Sequence, residues 1–479
     1  MKRFFITPCL AVTVLLMDFC AVNPVTGKKQ VVLMSEAQEL SIGKEADPQI
    51  IAQYGLYEDK GLQDFITQKG KAMAAVSHRP NLDYKFRVVD SEVINAFAVP
   101  GGYIYFTRGI MAHFNNEAQF AGVLGHEIGH VTARHSVVQQ RNAMLGQVGL
   151  IAGMVISPKL GEFAQQASQG LGLLFLKFGR DDERQSDELG VEYSSKIGYD
   201  AHHMADFFTT LERSSAKSGA EELPDFLSSH PNPGSRNVTV NKLATEWTQK
   251  LNNTNAQVNR NTYLQRINGI IYGEDPKQGF VENNAFYHPE LKLQFQIPAG
   301  WAHQNSPQTF QMAPKDGKAM MMLTMAQGKS LQEAANAVLQ QNKLTVVESR
   351  ETTVNGLPAI AMVADQKQEQ GTLRTLSYLI QYGTNIYHML GVSNATDFNA
   401  YAQYFTNTMQ SFKQLTDPSK LNKKPERVRI KTVKQAVTLD QALRSFNAPS
   451  KRFEEFAILN GMKLSDRLTA GTLIKVIEE

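Results

Sequence analysis

Residues 121–135 read AGVLGHEIGHVTARH, and the chemistry of the chain concentrates there. His126 and His130 stand four apart, which on a helix places them one turn apart on one face. Two neutral imidazoles so placed can hold one divalent cation, and zinc favours nitrogen donors of this kind. Glu127 follows the first histidine about 100° round the helix, where its carboxylate can reach a water polarised by the metal without binding the metal itself. That is the position of a general base in metal-assisted hydrolysis. Val123, Leu124, Ile128 and Val131 surround the three ionisable groups, while Gly125 and Gly129 allow another element to come close. A surface helix has little reason to set ionisable groups among such neighbours.

A catalytic zinc takes three protein ligands and keeps one open position. One class of zinc peptidase draws its third ligand from a histidine ten residues after the first; here that position is Ser136, and His135 comes one place early. His135 is therefore expected to support the site rather than bind metal. The third ligand should be an acid on a separate helix, and Glu162, Glu183, Glu188 and Glu192 are all candidates by spacing.

The elements that must hold this site are legible in outline. Helical periodicity runs from Glu117 to about Gln140, Arg180 to Ile197, His202 to Lys217 and Ser235 to Lys250. Tyr84 to Val89, Ile94 to Val99 and Tyr103 to Thr107 read as a short β-meander broken by Pro100-Gly101-Gly102. The apolar run Met144 to Ile156, with Leu171 to Phe178 further on, is too short to cross a bilayer; it reads as buried core or a cover over the cleft, ahead of a surface that touches membrane. From Ala285 to Phe412, β-rich segments alternate with helical patterns after Leu331 and Asp397, as in an α+β domain; its histidines, His288, His303 and His388, are scattered and read as incidental. A basic connector with Lys420, Lys423, Lys424, Arg427, Arg429 and Lys431 then leads to a βααβ-like unit in the last ~45 residues, and such a run of charge reads as a solvated linker.

Composition narrows the classes further. The chain has 479 residues, enough for two to four domains, with 49 Lys plus Arg against 46 Asp plus Glu and a net charge of +3. A charge so near balance gives no reason to expect nucleic acid as a partner, since binding it needs a basic stripe on one face. The two cysteines are Cys9 and Cys20, so the body of the chain carries neither a disulfide nor a thiolate metal site. Lys2 and Arg3 followed by the apolar stretch Phe4 to Met17 read as an export signal. Cys20 then looks like the acylated first residue of a bacterial lipoprotein, although Phe19 stands where a small residue is usual. An unpaired cysteine in an oxidising compartment favours that reading.

Four linked motifs carry a family resemblance: Gly122 to His135, Asn95 to Gly102 (NAFAVPGG), Arg180 to Asp187 (RDDERQSD), and Ser229-His230-Pro231 with Arg236. Together they resemble the zinc endopeptidase family that includes CAAX prenyl protease, HtpX, BepA and the mitochondrial Oma peptidase. The likeness covers roughly Ser35 to Lys250 and favours the soluble, exported branch. It implies one Zn2+ per chain held by His126, His130 and Glu183, with Glu127 as general base. Asp187 would orient a ligating imidazole, and Ser186 stands where the family usually has alanine. By the same likeness His230 and Arg236 lie beside the zinc. His230 would stabilise the developing oxyanion or, without substrate, close the open position as a latch. Asn95, Ala96, Phe97 and Ala98 would form a strand along the cleft to which an extended polypeptide adds itself.

The fold expected is a multidomain α+β chain: a signal over 1–19, a mainly helical zincin-type catalytic domain over 20–262, a connector over 263–284, an α+β domain over 285–415, a basic linker over 416–429 and a small module over 430–479. The α+β domain resembles the PsbP/Mog type at Pro298-Ala-Gly-Trp301. The last module resembles LysM, whose usual ligand is peptidoglycan; Ala436-Val437 replaces the customary glycine-aspartate, which makes docking to a protein an equal expectation. The function expected is zinc-dependent hydrolysis of unfolded or misassembled proteins of the cell envelope, in the periplasm, with Cys20 as the membrane anchor. The competing reading is a chaperone-like scaffold that holds clients by strand addition.

Overall fold

A computed structural model of the chain describes residues 20–27, 29–31, 34–137, 150–151, 154–155, 160, 178–218, 226, 230, 236–368 and 371–479. The expected signal, Glu162, Ser229, Pro231 and most of the two apolar runs therefore lie outside the described residues. Among those described, no helix is long and apolar enough to cross a membrane. The chain is mixed α+β and multidomain, with separate apolar cores.

The first body begins with helices α1, Glu36–Tyr54, and α2, Lys60–Ala74. A small sheet follows, of β1 (Lys85–Val89), β2 (Ala96–Val99) and β3 (Tyr103–Thr107). It is not a meander. β1 pairs in parallel with β3, and β3 pairs antiparallel with β2, so the spatial order is β1, β3, β2. The turn at Pro100-Gly101-Gly102, with both glycines at positive φ, makes the β2–β3 hairpin. Residues 90–95 carry the chain across to the outside, which leaves β2 as an edge strand. Helices α3 (Arg108–His113), α4 (Glu117–Thr132), α5 (Arg180–Lys196), α6 (His202–Ser218), α7 (Arg236–Leu251) and α8 (Arg260–Arg266) complete this body. Its core also takes in Tyr263, Leu264, Ile267, Ile270 and Ile271, all of them residues expected in the connector over 263–284.

The second body is a seven-stranded antiparallel sheet in the order 302–305, 310–313, 319–325, 385–394, 371–382, 357–368, 345–354. The helix Phe398–Gln410 covers one face and Leu331–Gln341 the other, because alternate strand residues point to opposite sides. The last body pairs Arg427–Thr432 antiparallel with Leu473–Glu478 around two short helices, the expected βααβ order. It does not hang free. Lys475, fully buried, donates to the carbonyls of Ala112, His113 and Phe114 at the end of α3. In the basic run, Lys420 and Lys423 pair with Glu282 at the end of the strand Phe280–Glu282, so that part of the linker is engaged rather than simply solvated.

Candidate metal centre

α4 starts where the Asn116 side chain accepts from the backbone of Gln119, with Glu117 in the first turn. Every residue of α4 is buried, so it is a central core helix rather than an amphipathic surface one. Its glycines decide what can approach. A Cβ on Gly125 would stand 2.8 Å from the carbonyl oxygen of Gly190, and one on Gly190 would stand 3.0 Å from the amide nitrogen of His126. The backbones of α4 and α5 therefore touch at this pair, which brings the first turns of α5 opposite the two histidines.

Four donors converge there. His126, His130, Glu183 and His230 each offer one ligand atom, all within 4.8 Å of one another. His126 Nε2 lies 3.0 Å from His130 Nε2 and 3.1 Å from His230 Nδ1. Glu183 Oε1 lies 3.4 Å from His130 Nε2 and 2.9 Å from His230 Nδ1. Donors about 2.0–2.1 Å from a tetrahedral zinc stand about 3.3 Å apart, so these separations suit one ion. The four residues are at most 1% exposed. Of the candidate acids, Glu188 is exposed and Glu192 pairs with Lys196 instead.

The surroundings fit a cation as well. Both carboxylate oxygens of Glu127 and His230 Nε2 are buried without a hydrogen-bond partner among the described residues. Orphaned acceptors of this sort are costly unless the site is built around a charged guest. Burial pushes the Glu127 carboxyl up, against the nearby His230 and His126. Burial acts on Glu183 in the same sense, but His230 and hydrogen bonds from His130 and His230 hold it well below the usual carboxylate range. Burial pushes His130 down, keeping its imidazole neutral, the form that ligates a metal.

Asp187 and Arg236 stand one step further out. Asp187 Oδ1 is 3.0 Å from His126 Nδ1, and Arg236 grips the same carboxylate through Nε and Nη2 at 2.7 and 2.6 Å. The guanidinium also reaches Glu183 Oε2 at 3.3 Å. Burial works against the ionised Asp187, but the charge of Arg236 and the hydrogen bonds from His126 and Arg236 hold its carboxyl low.

The edge strand flanks α4. Thr107 donates its backbone N–H to the Asn95 carbonyl, and alternation along the pair then turns the polar groups of Ile94, Ala96 and Ala98 outward. Two of those outward carbonyls are already engaged: Ile94 accepts from the Phe226 N–H, and Ala98 accepts from Ser136 Oγ at 3.3 Å. The side chain of Cys20 lies outside the described set, though its backbone pairs with Val31.

The sequence motifs did not reveal the aromatic walls. The Phe178 ring lies 3.9 Å from that of His130, and Phe226 stacks on His230 at 4.6 Å. Phe178 ends an apolar run already read as core or cleft cover, whereas Phe226 carries no signal of its own.

The sequence profile of peptidase family M48 matches residues 62–244, the segment that holds all four donors. Residues 62–244 are thus similar to peptidase family M48. Over 215 residues this chain is 30% identical to the beta-barrel assembly-enhancing protease of Yersinia pestis, a stretch covering 42% of this chain and 43% of that protein. It is 30% identical over 177 residues to the mitochondrial metalloendopeptidase OMA1 of Arabidopsis thaliana, covering 36% of this chain and 34% of the relative. The match thus spans less than half the length of either curated relative. Among solved structures, cyanobacterial PsbP from Synechocystis aligns at 8% identity, 27% of this chain, 91% of its own and a TM-score of 0.24. The yeast Ran-binding protein Mog1p aligns at 11% identity, 29% of this chain, 99% of its own and a TM-score of 0.23. The M48 segment ends within α7, so the second and third bodies of the chain fall outside it.

Proposed function

We propose that the chain is a zinc-dependent metalloendopeptidase that cuts unfolded or misassembled polypeptides in the bacterial cell envelope. The observation that carries this reading is the convergence of His126, His130, Glu183 and His230 beside the unpartnered carboxylate of Glu127. Zinc held by these donors supplies a Lewis acid that polarises a peptide carbonyl and acidifies a water.

The chain's own groups do the rest. Glu127, made more basic by burial, takes the proton of the attacking water and hands it to the departing amine. Asp187 accepts from His126 Nδ1 and so leaves the lone pair on Nε2 facing the metal. Arg236 offsets the charge of Asp187 and Glu183. His230 occupies the place of a fourth donor, with its Nε2 3.6 Å from Glu127 Oε1. That supports the latch reading in the resting enzyme, and a swing of this ring toward the scissile carbonyl would make it the oxyanion donor. Substrate would add itself along the strand Asn95, Ala96, Phe97 and Ala98, but Ala96 is fully buried, so this edge must be uncovered before a chain can pair with it. Backbone pairing there gives affinity for extended chains of varied sequence.

The envelope setting rests on the export-type start, on Cys20 as an acylated anchor and on the LysM-like tail, which would touch peptidoglycan or an envelope protein. The beta-barrel assembly-enhancing proteases among the relatives support the same setting by name. Incorporation of labelled palmitate that vanishes in Cys20→Ser checks the anchor.

The central test is Glu127→Gln. Cleavage of an unfolded polypeptide should fall by roughly 10²–10⁴-fold while one zinc per chain remains bound. Cleavage at the parent rate would sink the assignment. Client handling in cells that survives the change unaltered would favour the scaffold reading instead.

A further inference from the structure

The two ligating imidazoles are braced by different chemistry. His126 Nδ1 meets the Asp187 carboxylate, which Arg236 clamps. His130 Nδ1 meets another imidazole, with His135 Nδ1 at 3.0 Å. Two ring nitrogens at that distance need one donor and one acceptor. Once a metal takes the lone pair of His130 Nε2, the proton of that neutral ring sits on Nδ1. His135 Nδ1 must then accept, and its own proton sits on Nε2. There the partner is Gln185 Oε1 at 2.9 Å, with Asp182 Oδ1 at 3.6 Å. Ser186 Oγ, 3.3 Å from His135 Nδ1, can add a second donor to the same lone pair.

We propose that Gln185 and His135 form a positioning relay that fixes the tautomer of His130, doing for the second ligand what Asp187 does for the first. The proposal rests on the zinc reading of the donor cluster. Chain geometry makes the relay possible. α4 stops at Thr132, and Arg134 takes a left-handed conformation at φ 62, which turns His135 back under His130. Arg134 is fixed there by Glu39 Oε2 at 3.0 Å and by the Met34 carbonyl at 3.2 Å. Unlike Asp187, the relay ends on a neutral amide. One imidazole is thus held by a carboxylate directly, while the other is oriented through an amide, with the Asp182 carboxylate 3.6 Å from His135 Nε2.

Gln185 is half-buried on α5, so its substitution tests the relay without opening the core. The measurements on the full chain are the zinc dissociation constant by chelator competition, the visible absorption of the Co(II)-substituted protein, and kcat. Gln185→Glu keeps an acceptor and should hold zinc at least as tightly as the parent. Gln185→Lys offers only donors, favours the reversed tautomer of His135, and should weaken zinc about 10–100-fold with a changed Co(II) spectrum. His135→Gln, which can still accept from His130, should restore most of the affinity lost in His135→Leu. Equal affinities in the Gln185→Glu and Gln185→Lys proteins, with unchanged spectra, would overturn the relay while leaving the zinc site standing. A parent that binds no zinc would instead overturn the reading beneath it.

Discussion

Two arginine–aspartate forks in this chain have nearly the same geometry and different work. Arg236 holds Asp187 at 2.7 and 2.6 Å, and in the second body Arg374 holds Asp365 at 2.8 and 2.8 Å. The side chains of the first pair are 3% and 4% exposed, those of the second 33% and 21%. Their onward contacts differ too. Asp187 continues to His126 and Arg236 to Glu183, so that fork is a link in a network ending at the metal donors. Asp365 and Arg374 lie opposite each other on neighbouring strands, and nothing more than strand register is needed to bring them together. A fork by itself says little about function; burial and the next partner do.

The largest effect should come from breaking the buried fork. Arg236→Leu strands Asp187 and Glu183 without their guanidinium, and an unpaired buried charge costs about 3–5 kcal/mol. Urea unfolding of the zinc-free protein should register that loss. Zinc should recover part of it, since a cation beside Glu183 replaces some of the missing charge. A loss under about 1 kcal/mol would mean that the network is far more solvated than its burial implies.

The histidines extend the comparison. In the first body each buried imidazole of the cluster faces other donors. In the second, His388 is also buried but has one neutral partner, the Ser377 hydroxyl at 2.9 Å. Burial pulls its pKa from 6.5 to about 4. The unfolded chain therefore takes up the proton first as pH falls below 6.5, and stability is lost from there down to about pH 4. The loss amounts to about 3 kcal/mol, and above pH 6.5 the contribution is fully present. Burial also lowers His288 to about 4, which adds in the same sense, so the informative quantity is the difference between parent and His388→Leu. Trp301, buried in the second core, reports on this body in a Trp247→Phe background. A slope unchanged by His388→Leu would show that His388 is protonated or hydrated in the fold.

What the sequence disclosed follows the range of the interactions. His126, Glu127 and His130 were readable because one helical turn fixes their relation. Spacing alone left Glu162, Glu183, Glu188 and Glu192 level, because the choice depends on where α5 crosses α4, and that is set by the Gly125–Gly190 contact 65 positions apart along the chain. The resemblance supplied Glu183 where local physics could not. His135 was expected to support the site, but its partner could not be named: the helix breaks at Arg134, and a break held by Glu39 is a long-range fact. The β-meander failed for the same reason, since parallel pairing of β1 with β3 is invisible to local alternation. Lys475 drew no expectation from the sequence, and it is buried against carbonyls of the first body.

The smallest effect should come from Arg374→Leu. Asp365 would lose its partner but keep access to water, and an exposed pair is worth about 0.2–1 kcal/mol because solvent already screens it. The urea midpoint read from Trp301 should therefore move little, and the difference from parent should shrink further in ~1 M salt, where screening acts within about 3 Å. The paired measurement matters more than either alone. If Arg374→Leu destabilised its body as much as Arg236→Leu destabilises the first, fork geometry rather than burial would set the energy. The special standing given to Arg236, as the counter-charge that lets Asp187 and Glu183 stay ionised inside the protein, would then have no support.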